Sequence, residues 1–212
     1  MSFLFQILLT IPPRTPRWGL LGWVFLGVFF LTNSLKALSV IPPSFPELVA
    51  NAEQVVRIKV TKVSSRWDVT SHGPVIRTYV ECEPLRTLKG VVPAALTLRF
   101  LGGRVGDEAM TVVDMPRLDE GQTYIVFLAQ NGEAMCPLVS AGHGSYPIVT
   151  DTATQVQHVA RSNFQRLRAV DDVETPVVTQ ASHPALRAYS GPGLTREAFE
   201  AAIVQEVARE GK

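Results

Sequence analysis

The feature that most constrains this chain is a change of period at Gln54. From there Val56, Ile58 and Val60 alternate with Arg57, Lys59 and Thr61. A period of two puts one set on each face of an extended strand, which no helix can do. Trp67 continues the segment past Ser64-Ser65, and Ser71-His72-Gly73-Pro74 reads as a turn. A second alternation follows, with Ile76, Thr78, Val80 and Cys82 set against Arg77, Tyr79, Glu81 and Glu83. Pro84 has no N–H for a ladder and predicts a bulge or an edge there.

Further strands are expected over 95–101, 110–113, 123–129 and 146–149. The third of these, Thr-Tyr-Ile-Val-Phe-Leu-Ala, is the most apolar and reads as central. Asn131-Gly132 is the strongest hairpin signal, with 134–140 pairing back. A short helix is expected over 46–52, with Pro46 in its first turn. A second is expected after Thr195, with Leu194 and Phe199 as a staple and Phe199, Ile203 and Val207 as its buried stripe. Six or so short strands with tight turns predict a mainly β fold: a small, closed or nearly closed antiparallel barrel between a short N-terminal and a C-terminal helix. A sandwich is the competing architecture.

The chain ahead of this region reads as an address. Residues 1–39 hold Arg14, Arg17 and Lys36, no acidic residue, and a 13-residue apolar run over 19–31. A bilayer-spanning helix needs roughly 20 such residues. Ala37 and Ser39 have the spacing of a signal-peptidase site. The expectation is a signal peptide over 1–39 and a protein exported to the periplasm or the extracellular space; an uncleaved N-terminal anchor is the alternative. The remaining boundaries are a lead-in and helix over 40–53, a β-barrel over 54–158, an irregular linker over 159–193 and a helix over 194–212. Residues 1–39 carry three of the 20 basic residues and none of the 19 acidic ones, so the rest of the chain has a net charge of −2. That balance gives no electrostatic case for nucleic acid, and membrane contact is expected only through the signal segment. Apolar residues at 46% exclude a disordered chain, and two cysteines exclude a disulfide-stapled miniprotein or a four-cysteine zinc site.

The string from Glu47 to Gly90 resembles the opening of netrin-like and tissue-inhibitor-of-metalloproteinase-like domains. The matching pieces are Ala50 to Ala52 in the short helix, Val56 to Val63, Thr78-Tyr79-Val80, and the Leu88-Lys89-Gly90 corner. Gly121-Gln122-Thr123-Tyr124-Ile125-Val126-Phe127-Leu128 is similar to the glycine turn and Tyr-Leu-Val-Phe strand of that pattern. The run over 47–150, with Gly102-Gly103 and Met115-Pro116-Arg117, also resembles a set of uncharacterised exported bacterial proteins. The resemblance implies an OB-like five-stranded barrel. The animal inhibitors act through an N-terminal cysteine that binds the catalytic zinc. Val40-Ile41-Pro42, at the expected mature start, has none, so that mechanism does not carry over.

Catalytic patterns are sparse. His72, His143, His158 and His183 stand alone in polar stretches and read as solvated loop residues. Gly142-His143-Gly144-Ser145-Tyr146 echoes a nucleophile elbow without its strand-to-helix context. Gly102-Gly103-Arg104-Val105-Gly106 has no following helix to cradle a phosphate. Asp107-Glu108 and Asp119-Glu120 fall in loops. Cys82 and Cys136 allow a disulfide in an oxidising compartment, and two buried thiols are the other reading. Arg57, Lys59, Arg77, Trp67 and Tyr79 form the one candidate face for single-stranded nucleic acid, which export and charge disfavour.

The functional expectation is a non-catalytic exported binding module, with no cofactor and no bound metal, whose partner is another exported protein, with proteases among the partner classes. Its candidate contact surface is the pair of long loops carrying Gly102, Gly103, Arg104 and Asp107, and Met115, Arg117 and Asp119. The alternative is an exported enzyme or carbohydrate-handling protein using loop carboxylates.

Overall fold

Two 17-residue strands, β1 (Gln54–Thr70) and β2 (Gly73–Lys89), dominate the computed structural model, which describes residues 42–175 and 193–211. The signal peptide expected over 1–39, most of the linker expected over 159–193, and His183 lie outside the described residues. β1 and β2 form one long antiparallel hairpin closed at Ser71-His72, where short strands were expected. The register shifts at three places along it, and one skips Leu85, so that Ile58 faces Pro84 while Arg57 faces Arg86. The bulge foreseen at Pro84 is therefore present, and each shift bends the arm.

β3 (Leu96–Leu101), β6 (Thr123–Leu128), β7 (Ser145–Thr150) and β8 (Gln157–Val159) complete a six-stranded antiparallel sheet in the order β3-β2-β1-β6-β7-β8. No ladder joins the end strands β3 and β8 among the described residues, so the sheet is open. β4 (Gly103–Val105) and β5 (Glu108–Met110) make a separate small hairpin turning at Gly106, whose φ is +59°. They replace the strand expected over 110–113.

Both faces of β6 are covered, which is why its sequence is apolar throughout rather than alternating. On one side, Val55, Ile125 and Phe127 pack under α1 (Phe45–Ala50) and α2 (Arg196–Glu210). Phe45, Phe127, Tyr146 and Phe199 form a ring cluster there, with centroids 5.2–6.4 Å apart. On the other side, Val56, Ile58, Val60, Val80, Leu98, Tyr124 and Val126 form a second core, covered by Leu118 and Leu138. Local signals set both helices. Ser44 and Glu47 form a reciprocal capping box at α1, and the Thr195 hydroxyl accepts the Ala198 N–H at α2.

Asn131-Gly132 does not form the expected two-residue hairpin. The turn widens to residues 130–134, where the Ala134 N–H bonds to the Gln130 carbonyl. The Asn131 amide is used elsewhere: it accepts from the Arg99 N–H at 3.2 Å and donates to the Thr97 carbonyl at 2.9 Å. Residues 134–140 likewise do not make a full strand. They meet β6 through Ala129 N–H to Pro137 and Val139 N–H to Phe127, while the Met135 carbonyl accepts the Leu101 N–H at 2.8 Å.

Candidate functional site

The two loops singled out in the sequence converge. Gly102 and Gly103 carry the chain across the inner face of the β1–β2 arm at φ of +96° and +141°. A Cβ on Gly103 would stand 2.4 Å from Ser65 Oγ and 2.5 Å from Thr78 Oγ1, so glycine is required by space as well as by backbone conformation. The Thr78 hydroxyl donates to the Gly102 carbonyl at 2.7 Å and lies 3.0 Å from Ser65 Oγ. These contacts place the β4–β5 hairpin over the arm.

The second loop is tied down at its end. The Gly121 N–H bonds to the Val60 carbonyl, and the Val60 N–H to the Gln122 carbonyl. The Glu120 carboxylate accepts the Val63 N–H at 3.3 Å. The Tyr124 hydroxyl accepts the Asp119 N–H at 2.9 Å, and burial pushes its phenol up to about 12. Leu118 is buried in the inner core, which anchors the loop from below.

Between the loops lies a cleft of about 520 Å³. Val63, Val80, Phe100, Met110, Met115 and Leu118 give it an apolar lining. Ser65, Thr78 and Thr111 add hydroxyls, and Arg104, Arg117, Asp119 and Glu120 add charge. Of the residues expected to form a contact surface, Gly102, Gly103, Arg104, Met115, Arg117 and Asp119 line this cleft. Asp107 does not; it sits exposed at the β4–β5 turn. Ser65, Thr78, Phe100 and Met110 were not foreseen. Ser65 carried no readable signal: the period of Val56, Ile58 and Val60 points Ser64 inward, and only the register shift between Val60 and Lys62 brings Ser65 to that face.

Other sequence readings need correction. His143 and His158 are buried, each 8% exposed, rather than solvated. His158 Nδ1 lies 3.1 Å from the Gly193 carbonyl and ties α2's lead-in to β8. Burial, then the nearby Arg161 charge, lower the His143 pKa. His72 is exposed at the arm's turn. The candidate nucleic-acid face is split by the sheet. Tyr79 and Arg77 share the outer face with Arg66 and Asp68, Trp67 takes the inner face, and Arg57 is held by Glu200. On that outer face the Arg66 guanidinium stacks 3.8 Å over the Tyr79 ring, and the Tyr79 hydroxyl donates to Asp68.

Cys82 and Cys136 are free thiols that pack against the same inner core. Burial pushes them up to about 12 and about 11. Among the described residues, no group of three or more His, Cys, Asp or Glu side chains is placed to hold a metal ion. No protein-family model matches the chain, and no curated protein matches it.

Proposed function

We propose that this chain is an exported, non-catalytic binding module on an OB-like, nearly closed barrel, and that it holds an extended segment of another exported protein in the cleft between its two long loops. The observation that carries the reading is the convergence of those loops on one cleft with an apolar lining and a mixed-charge rim. Such a site takes apolar side chains and orients a polar backbone. Several of its polar groups are already engaged within the fold: Thr78 with Gly102, and Glu120 with Val63. The groups in the cleft lining able to act as base or nucleophile are Ser65, Thr78, Thr111, Asp119 and Glu120; of these, Thr78 and Glu120 are the two so engaged, and Ser65 lies against Thr78.

Three features support the OB-like reading and with it the kinship to netrin-like domains. The bulges bend β1 and β2. The free edge of β3 is closed off by the Asn131 amide and the Met135 carbonyl, and the residues that follow Met135 bond to β6. Leu118 and Leu138 cap the apolar interior so enclosed. Export rests on the charge and apolar pattern of residues 1–39.

A second reading, an enzyme or carbohydrate-handling site, draws on the presence of Asp119 and Glu120 beside Arg104 and Arg117 in the cleft. One comparison separates the two. The chain and its Thr111→Trp variant, which fills the cleft from its exposed side, are used to capture proteins from the exported fraction of the source cell. The binding reading expects a partner that the variant loses. A partner retained by the variant overturns the cleft assignment. Hydrolytic turnover that Asp119→Asn abolishes in a folded chain replaces binding with catalysis.

A further inference from the structure

Beyond Val63, no strand pairs with the outer edge of the β1 arm among the described residues. β6 accompanies β1 only from Gln54 to Lys59, and no strand follows it along that side among the described residues. Antiparallel ladders alternate, so the residues whose backbone groups face outward can be identified. The two-residue turn makes Thr70 and Gly73 a hydrogen-bonded pair, so Asp68, Arg66 and Ser64 bond to β2 in the same phase. Ser65, Trp67 and Val69 then point N–H and C=O away from β2. Two contacts fix this phase independently. The Val63 N–H, on the outward side, bonds to the Glu120 carboxylate, and the Ile76 carbonyl, outward on the other edge, accepts the Gly102 N–H. No such partner meets the outward groups of Ser65, Trp67 or Val69 among the described residues.

The apolar side chains along this edge share the arm's inner face and reach solvent: Val69 is 92% exposed, Trp67 42% and Val63 37%. An open edge carrying apolar side chains is a template for another strand. We propose that the strand is β1 of a second copy of this chain, paired antiparallel about a two-fold axis through Trp67. Charge complementarity selects this occupant. In that register Arg66 faces the partner's Asp68, and Asp68 faces the partner's Arg66, so opposite charges meet directly across the new ladder. Trp67 meets the partner's Trp67, and Ser65 meets the partner's Val69, so every outward backbone group finds its complement. Asp68 keeps about a third of its side chain exposed while held by Arg77 and Tyr79, so it remains reachable. A register centred on Ser65 would need Val63, whose N–H Glu120 already occupies.

The test is the mass of the purified full chain by light scattering over a concentration series. The expected result is a reversible dimer. Val69→Pro removes one outward N–H without touching the β1–β2 ladder, so the far-UV spectrum stays and the dissociation constant rises tenfold or more. Arg66→Asp and Asp68→Arg each weaken self-association, and mixing the two variants restores a heterodimer, because only this register makes their charges complementary. A monomer at every concentration overturns the proposal. So does a dimer that persists in folded Val69→Pro, a mixture of charge variants that stays monomeric, or occupation of this edge by a different protein.

Discussion

Arg57 on β1 and Glu200 on α2 are 143 residues apart in the chain, and Arg57 Nη1 stands 2.8 Å from Glu200 Oε1. The Glu200 side chain is 1% exposed and also accepts from Arg86 Nη1 at 2.6 Å and Arg196 Nη1 at 3.3 Å. One buried carboxylate thus joins the C-terminal helix to both strands of the arm. Its burial is tolerated because three guanidinium groups compensate it.

Glu200→Ala leaves the largely buried Arg57 without its anion. The expected cost is about 3–5 kcal/mol, the range for breaking a buried pair from one side. Arg86, whose side chain is 53% exposed, is rehydrated when its partner is lost, and Arg86→Ala is expected to cost at most about 1 kcal/mol. Urea unfolding of both variants checks the contrast. Equal losses would show that the carboxylate is not the shared anchor.

The long strands β1 and β2, the strands β3, β6 and β7, and both helices were legible because their signals are local, whereas the three-residue strands β4, β5 and β8 are too short to carry a period. Period two marks β1 and β2, Ser44 and Thr195 cap the helices, and the core residues Val56, Ile58, Val60, Val80, Leu98, Ile125 and Phe127 are all buried. Their division between two cores on opposite sides of the sheet was not legible, because it depends on which face α1 and α2 cover. Asn131 misled for a related reason. Its dipeptide favours a tight turn, yet the edge of β3, some thirty residues earlier, claims its amide. The cleft was readable as two long loops. That they converge is set by the approach of Gly103 to Ser65 and Thr78, a tertiary contact no local pattern encodes.

The His143 imidazole has a pKa below its ordinary 6.5, lowered by burial and by Arg161. The unfolded chain therefore takes up this proton first. Stability is insensitive to His143 above about pH 6.5 and falls as pH drops below that value, until the lowered folded pKa is passed. Asp151 acts further down. The N–H groups of Thr154 and Ala153, with Arg166, hold its carboxyl below 3.8, so its contribution is lost only in stronger acid. Denaturation midpoints measured from pH 7.5 to 5 should fall in the parent chain and flatten in His143→Gln. Parallel curves would remove His143 as the cause.

Raised thiol pKa values predict slow chemistry at the cysteines. At pH 8 a thiol of pKa about 12 is ionised to only about one part in ten thousand, and the thiolate is the reactive form. Folded chain should react sluggishly with a disulfide reagent, and denatured chain, without reductant, should release two equivalents at once. Fewer than two equivalents in the denatured chain would mean that Cys82 and Cys136 are bonded.

Gly103 offers the sharpest check on how the cleft is built. Its φ of +141° disfavours any side chain, and the space a methyl would take already holds Ser65 Oγ and Thr78 Oγ1. Neither hydroxyl can simply swing away. Thr78 donates to the Gly102 carbonyl, and Ser65 lies within hydrogen-bond distance of Thr78, so relief for the methyl breaks the link that carries the chain across the arm. Gly103→Ala is expected to destabilise by roughly 1–3 kcal/mol, the usual range for overpacking. Adding Ser65→Gly removes the nearest obstruction while leaving the backbone strain, so it should recover part of the loss but not all of it. Urea midpoints of the single and double variants decide this. A neutral Gly103→Ala would mean that the chain does not cross the arm at this contact, and full recovery in the double variant would mean that crowding alone, without backbone strain, requires the glycine.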